Sequence, residues 1–258
     1  MKQPLYLGRR TTVRLDDGPS LVVSAPKRVE CRFPLLRTSQ LVAYAGTGLS
    51  EDVLLACLRH QIPILWQNRD GSALAISLPF TSGNQPWAER ISAMISRPGW
   101  RARYDSWLAA QHRMVLRVLA TRYHLNGERT LDAWLDLFFH RQAIRCTIGR
   151  SLLRDWQAMA TLLLVEHWSL LQIPPESMII SAEGLNIAGD MAHCLACDMV
   201  VELARRPQRW RFAAGQDADA IHFAAIQAFE RRRGALRHLV AAIHARFHRW
   251  LLELESWR

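Results

Sequence analysis

The hydrophobic periodicity of this chain changes once along its length. Up to about residue 80 the aliphatic and β-branched residues come in short runs: LYLG, TTVRL, SLVVSA, ECRFPL, LVAYAG and IPILWQ. Strands are built this way, because successive side chains of an extended backbone face opposite sides of a sheet. DDG at 16–18, GTG at 46–48 and RDG at 69–71 punctuate the runs. In NRDGSALAI, Asp70 and Gly71 are expected to supply the positive φ angles of a hairpin turn. One helix interrupts the strands, with Ser50 as its N-cap, Glu51 and Asp52 in its first turn and VLLACLRH as its body.

From Trp100 onward the apolar residues recur at helical spacing. YDSWLAAQHRMVLRVLATRYHL places Trp107, Leu108, Met114, Val115, Val118 and Leu119 near one stripe. ERTLDAWLDLFFHR, SLLRDWQAMATLLLVEHWSLL, HCLACDMVVELARRP and DAIHFAAIQAFERRRGALRHLVAAIHARFHRWLLELE continue the pattern, with QIPPES at 172–177 as a break. Strands first and helices afterwards predict an α+β protein. The expected layout is a small β-sandwich-like domain at 1–80, a linker at 81–99 interrupted by Gly83, Pro86, Pro98 and Gly99, and a larger all-α-helical domain at 100–258.

Half of the 258 residues are hydrophobic, so a sizeable core can form. The longest apolar patch, MATLLLV at 159–165, falls short of a membrane span. MKQPLYLGRR has no signal-peptide core, and the expectation is a cytosolic, membrane-free protein. Five cysteines, at 31, 57, 146, 194 and 197, argue against a disulfide framework. The net charge of +10 comes almost wholly from arginine, since Lys2 and Lys27 are the only lysines. Arginine offers a planar fork of donors that matches phosphate oxygens, so a polyanion, DNA or RNA, is the expected partner. The competing explanation is compositional drift in a GC-rich genome.

Residues 189–200, GDMAHCLACDMV, gather Asp190, His193, Cys194, Cys197 and Asp198. Structural zinc needs four ligands, usually as two such pairs, and no second C-x-x-C exists in the sequence. Leu195, Met199 and Val200 flank the thiols, which fits a packed helix better than an exposed redox pair. Asp190 and His193 share a helical face at i, i+3, either as a hydrogen-bonded pair or cap, or as the remnant of a metal site. Arg205, Arg206, Arg209 and Arg211, with Arg231, Arg232 and Arg233, are the expected phosphate-gripping groups, and Trp210 and Trp250 the expected base-stacking ones. The competing reading is a solvated arginine face with tryptophans in the core. His244 and His248 stand at i, i+4, a ligand spacing, although surface or interface roles suit them better. Neither a phosphate-cradling G-x-x-x-x-G-K-[ST] loop nor a G-x-S-x-G elbow occurs in the sequence.

GLSEDVLLACLRHQIPILWQNRDGSALA resembles the segment that closes the β-domain of the CRISPR-associated spacer-acquisition integrases, the Cas-one family. ERTLDAWLDLFFHR, SLLRDWQAMATLLLVEHWSLLQIPPESMIIS, GLNIAGDMAH and VVELARRP are similar, in order, to successive parts of that family's helical domain. The resemblance implies a β-domain followed by a helical domain, homodimerisation through the β-domain, and DNA as substrate. It also implies a small ferredoxin-like adaptation partner or an active paralogue beside it. The family's metal site uses Glu, His and Asp, often with a further acid, to hold Mg²⁺ or Mn²⁺ for phosphodiester transfer. In this register those positions fall on Phe138, Ser181, Asp190 and His193, so only the Asp matches, and the expectation is a degenerate centre without a required metal. Asp190 and His193 are the pair to which any ion would bind. A second register uses Glu128, His193 and Asp198, with Glu202 one turn on, and implies a working metal-dependent integrase-nuclease. A third possibility is a scaffold that binds no DNA.

Overall fold

The computed structural model describes residues 2–16, 18–26, 28–79, 85–123, 131–141, 144, 146–173, 178–180, 184–205 and 218–256. The chain divides into two compact units, residues 1–81 and 82–258.

Among the described residues, the first unit holds eight strands in two four-stranded sheets. They are β1 (Gln3–Tyr6), β2 (Thr12–Leu15), β3 (Ser20–Ser24), β4 (Cys31–Pro34), β5 (Thr38–Tyr44), β6 (Gly48–Leu49), β7 (Ile64–Gln67) and β8 (Ala73–Ser77). One sheet runs β1-β5-β7-β8, with β1, β5 and β7 parallel and β8 antiparallel. The other runs β4-β3-β2-β6. Helix α1 (Glu51–Arg59) begins where Ser50 Oγ accepts the Val53 N–H at 3.4 Å, satisfying one of the donors that a helix start leaves free. Leu5, Leu41, Ala43 and Ile64 from one sheet, Val13 and Leu21 from the other, and Val53 and Cys57 of α1 form a shared core.

The β7–β8 turn departs from the expected two-residue form. The Gly71 N–H donates to Asn68 O at 3.0 Å and the Asn68 N–H to Ser72 O at 2.8 Å, so three residues, 69–71, make the loop. Only Gly71 takes positive φ, at 85°. This is a type I turn completed by a left-handed residue, where glycine carries no Cβ penalty. Asp70 instead caps the turn, with Oδ1 accepting from the Ser72 N–H and hydroxyl.

The second unit is helical: α2 (Gln85–Ile95), α3 (Trp100–Tyr123), α4 (Leu131–Arg141), α5 (Cys146–Leu170), α6 (Ile187–Arg205) and α7 (Ala218–Ser256). The stretch read as a linker therefore contains α2, and Trp87, Ile91 and Met94 bury at i, i+4, i+7. Pro86 reads as a breaker in sequence, yet in a first turn its missing N–H costs nothing. Met114 and Val118, expected in the buried stripe of α3, are exposed, whereas Trp107, Gln111 and Leu119 face inward. α5 lies at the centre, packed on α6 and α7, with Trp156, Met159, Leu162 and Trp168 fully buried. A short antiparallel pair, β9 (Ile179–Ile180) and β10 (Leu185–Asn186), leads into α6. Asn186 Oδ1 caps α6 by accepting the Gly189 N–H at 2.8 Å.

Candidate functional site

Helix α6 carries the residues at stake, and its neighbours decide what they can do. Asp190, in its first turn, receives the Tyr104 hydroxyl of α3 on Oδ2 at 2.7 Å. Burial pushes the Asp190 carboxyl above its ordinary range, with the Tyr104 hydrogen bond and the Arg101 and His193 charges opposing. The same burial, together with the Asp190 charge, raises the Tyr104 phenol, so it remains a donor.

One turn further along α6, His193 packs edge-on against His112 of α3, ring centroids 5.6 Å apart. Burial lowers the pKa of both, that of His112 to about 4, and the mutual repulsion of two imidazolium rings adds to this for His112. The negative charge of Asp132, at the start of α4, pulls both the other way without winning. Both rings are therefore neutral at physiological pH. Their Nε2 atoms are buried and have no hydrogen-bond partner among the described residues. Beside His112 in the sequence of α3, the buried Gln111 accepts on Oε1 from Arg246 Nε of α7 at 2.9 Å.

Cys194 and Cys197 are buried in the α6 packing face. Burial pushes the Cys194 thiol up to about 12 and the Cys197 thiol well above its ordinary value. Thiolate is the form that binds metal or attacks a disulfide, so these thiols behave as core atoms.

The remaining sequence-selected residues have partners of their own or lie outside the described residues. Phe138 is buried on α4 beside Phe139, ring centroids 5.5 Å apart. Asp198 and Glu202 are spanned by one guanidinium: Arg232 Nη2 donates to Asp198 at 2.7 Å and Nη1 to Glu202 at 2.9 Å. Arg233 is buried and held by Glu166 at 3.0 Å and Glu230 at 3.1 Å. Two of the expected phosphate-gripping arginines are thus occupied by carboxylates, while Arg205 and Arg231 are exposed. Glu128, Ser181, Arg206, Arg209, Trp210 and Arg211 lie outside the described residues. Trp250 packs within 6.2 Å of Tyr104, 5.9 Å of Trp107 and 5.7 Å of Phe247, part of an aromatic cluster.

His244, for which a surface or interface role is the expectation, is buried. It meets His167 through a 3.2 Å ring nitrogen contact, and Trp87 lies 5.0 Å from it. His248 stacks beside it and is reached by Arg90 Nη1 at 3.1 Å. Burial lowers His244 to about 4.

Tyr104, His112 and Asp132 escaped sequence reasoning. Polar residues inside the α3 pattern were the available signal, but nothing local says that they meet α6, some 80 residues on.

The layout of a β unit followed by a helical unit recurs in solved structures of Cas1 proteins and of a casposase. A Cas1 protein from Thermotoga maritima is similar over 97% of this chain and 97% of its own, at 10% identity and a TM-score of 0.72. A casposase bound to its integration product is similar over 90% of this chain and 82% of its own, at 12% identity and a TM-score of 0.64. TtCas1 in complex with DNA is similar over 99% and 92%, at 15% identity and a TM-score of 0.56. These define the class of fold. Among curated proteins none matches the sequence. Residues 5–138, just over half the chain, match the family model described as CRISPR associated protein Cas1. The chain belongs to the Cas1 family.

The divalent ion that family resemblance implies does not fit the described residues. No group of three His, Cys, Asp or Glu side chains among them is placed to hold an ion. Asp190 is engaged by Tyr104, and the carboxylates of Asp198 and Glu202 are engaged by Arg232. Phenylalanine at 138 offers no donor atom. None of the described helices is long and apolar enough to cross a membrane.

Proposed function

We propose that this Cas1-family chain is a DNA-binding component of a CRISPR adaptation or defence assembly whose own phosphodiester centre is degenerate. The observation that carries the reading is the Tyr104–Asp190 hydrogen bond: the acid that the resemblance assigns to metal binding is half-buried and already satisfied by a phenol. A hard divalent cation needs several free oxygen ligands, and a single engaged carboxylate beside a neutral imidazole offers too few. The net charge of +10 supports a polyanion partner. Structural relatives include Cas1 bound to DNA and a Cas6-RT-Cas1–Cas2 complex, which supports DNA and a small adaptation protein as partners. In this reading the chain pairs with a second copy through the β unit and relies on an active relative for strand joining.

The test combines purified protein, Mn²⁺, a labelled duplex with free 3′ ends and a target duplex. The expected result is a mobility shift without joining or cleavage. Joining that Asp198→Ala abolishes would establish the working-integrase reading with Glu128, His193 and Asp198. Absence of any shift at moderate salt would establish a scaffold that does not bind DNA.

A further inference from the structure

Helix α3 carries arginines at 101, 103, 113, 117 and 122, and Asp105 is its only acid. Arg101 takes that acid, donating to Asp105 at 3.1 Å one turn along, and also reaches Gly184 O at 3.1 Å. Arg103, Arg113 and Arg117 are all exposed. None of the three guanidinium groups pairs with a carboxylate among the described residues. This sets them apart from Arg14, Arg32, Arg150 and Arg237, exposed arginines that each pair with an Asp or Glu.

The three lie along one side of the helix. Arg113 and Arg117 are one turn apart, and Arg103 lies 14 residues before Arg117, close to four whole turns, so the row spans about 21 Å. Ser106 and Thr121, small and exposed, share this side of the helix, and the exposed Met114 and Val118 border it. Like charges at i, i+4 repel, so the Arg113–Arg117 spacing weakens an isolated helix. A bound anion of opposite charge reverses that penalty. Duplex DNA presents phosphates at about 3.4 Å of rise per strand, so the row matches the backbone of roughly six base pairs.

We infer that the exposed Arg103–Arg113–Arg117 face of α3 is a contact surface for the phosphate backbone of duplex DNA. The inference rests on the DNA-binding reading above and assigns that binding to a face which does not include Arg232 or Arg233. Contacts of this kind fix position without reading sequence, so affinity is sequence-independent and depends steeply on salt.

The experiment is fluorescence anisotropy of the full chain with a random-sequence 20-base-pair duplex across a salt series. Three variants are compared with the parent: R103Q/R113Q/R117Q, R103K/R113K/R117K, and the charge-matched control R28Q/R37Q/R59Q, drawn from exposed arginines of the β unit. Far-UV circular dichroism verifies that each is folded. Loss of three phosphate contacts should lower the slope of log K against log salt by about 2–3, and weaken binding at least tenfold at moderate salt. The lysine variant should keep most of the slope, because it keeps the charge. The control should lose less than one unit of slope. A glutamine variant that binds like the parent, or a control that loses as much, overturns the assignment while leaving DNA binding intact. A parent chain that does not bind the duplex overturns both.

Discussion

Tyr104 and Asp190 stand 86 residues apart in sequence and 2.7 Å apart in space, joining α3 to α6 through a phenol–carboxylate hydrogen bond. Tyr104 is fully buried, so the pair fixes how two long helices meet at the acid that the resemblance assigns to metal binding. Tyr104→Phe removes the donor and leaves a half-buried carboxylate without its phenol, at an expected cost of about 1–3 kcal/mol. The hydrogen bond favours the ionised acid, so the loss should be largest at pH 8 and shrink at low pH, where Asp190 protonates. Asp190→Asn keeps an acceptor for Tyr104 and removes a half-buried charge, so its cost should stay within about 1 kcal/mol. Urea unfolding of the three proteins at pH 8 and pH 5 checks the ordering. A severe loss in Asp190→Asn would mean that the charge itself has a role.

Arg232 bridges Asp198 and Glu202, tying α7 to α6. Removing the bridge differs from removing one end. Arg232→Ala leaves two carboxylates facing each other in a partly buried setting, with an expected cost of about 2–3 kcal/mol. Asp198→Ala leaves Glu202 to satisfy the guanidinium, and should cost about half as much. Chemical denaturation measures both. In the same preparations Asp198→Ala should leave duplex binding within twofold of the parent, since the side chain serves the fold.

What could be read from the sequence was local. The Ser50 cap and the positive φ of Gly71 depend on neighbours within a few residues, and so did the division into strands and helices. Pro86 looks like a stop at the head of α2, although Trp87, Ile91 and Met94 have helical spacing. The site was harder. Asp190 and His193 stand out in the sequence, but their partners Tyr104 and His112 come from a different helix, and only the tertiary packing of α3 on α6 supplies them. The same holds for Arg232 and Arg233, which look like a cationic cluster until carboxylates from α5, α6 and α7 are seen to close on them. The α3 row was hidden for the opposite reason: Met114 and Val118 suggested a buried stripe where the helix in fact faces water.

Two histidines, His244 buried and His112 half-buried, make stability depend on acid. His112 and His244 each have a folded-state pKa of about 4 against an ordinary 6.5, mainly through burial. Between those values the unfolded chain binds more protons than the folded one, so stability is intact above about pH 6.5 and falls as pH drops toward 4. Each ring contributes a slope of up to about 1.4 kcal/mol per pH unit. His167 and His193, lowered by the same cause, act in the same direction, and Asp190, whose pKa is raised, opposes them. Urea midpoints between pH 7.5 and 4.5 should therefore decline, and His112→Gln with His244→Gln should flatten the decline. An unchanged slope in the double variant would place the acid sensitivity elsewhere.

Gly149 offers a prediction whose sign is unusual. Replacing glycine with alanine inside a helix ordinarily stabilises by about 1 kcal/mol, because the unfolded chain loses freedom and the helix gains a better former. In α5, however, a Cβ on Gly149 would lie 2.5–2.7 Å from the ring of Phe139 on α4. Phe139 is fully buried, so its ring has nowhere to retreat without moving α4. Gly149→Ala should therefore destabilise, by about 1–3 kcal/mol through overpacking. Trimming the ring in Phe139→Leu costs stability alone, but should absorb the added methyl, so that Gly149→Ala becomes neutral or stabilising in that background. A double-mutant cycle by thermal or urea unfolding measures this coupling, expected at about 1–3 kcal/mol. Additive losses would mean that α4 and α5 part readily and that the glycine is there for another reason.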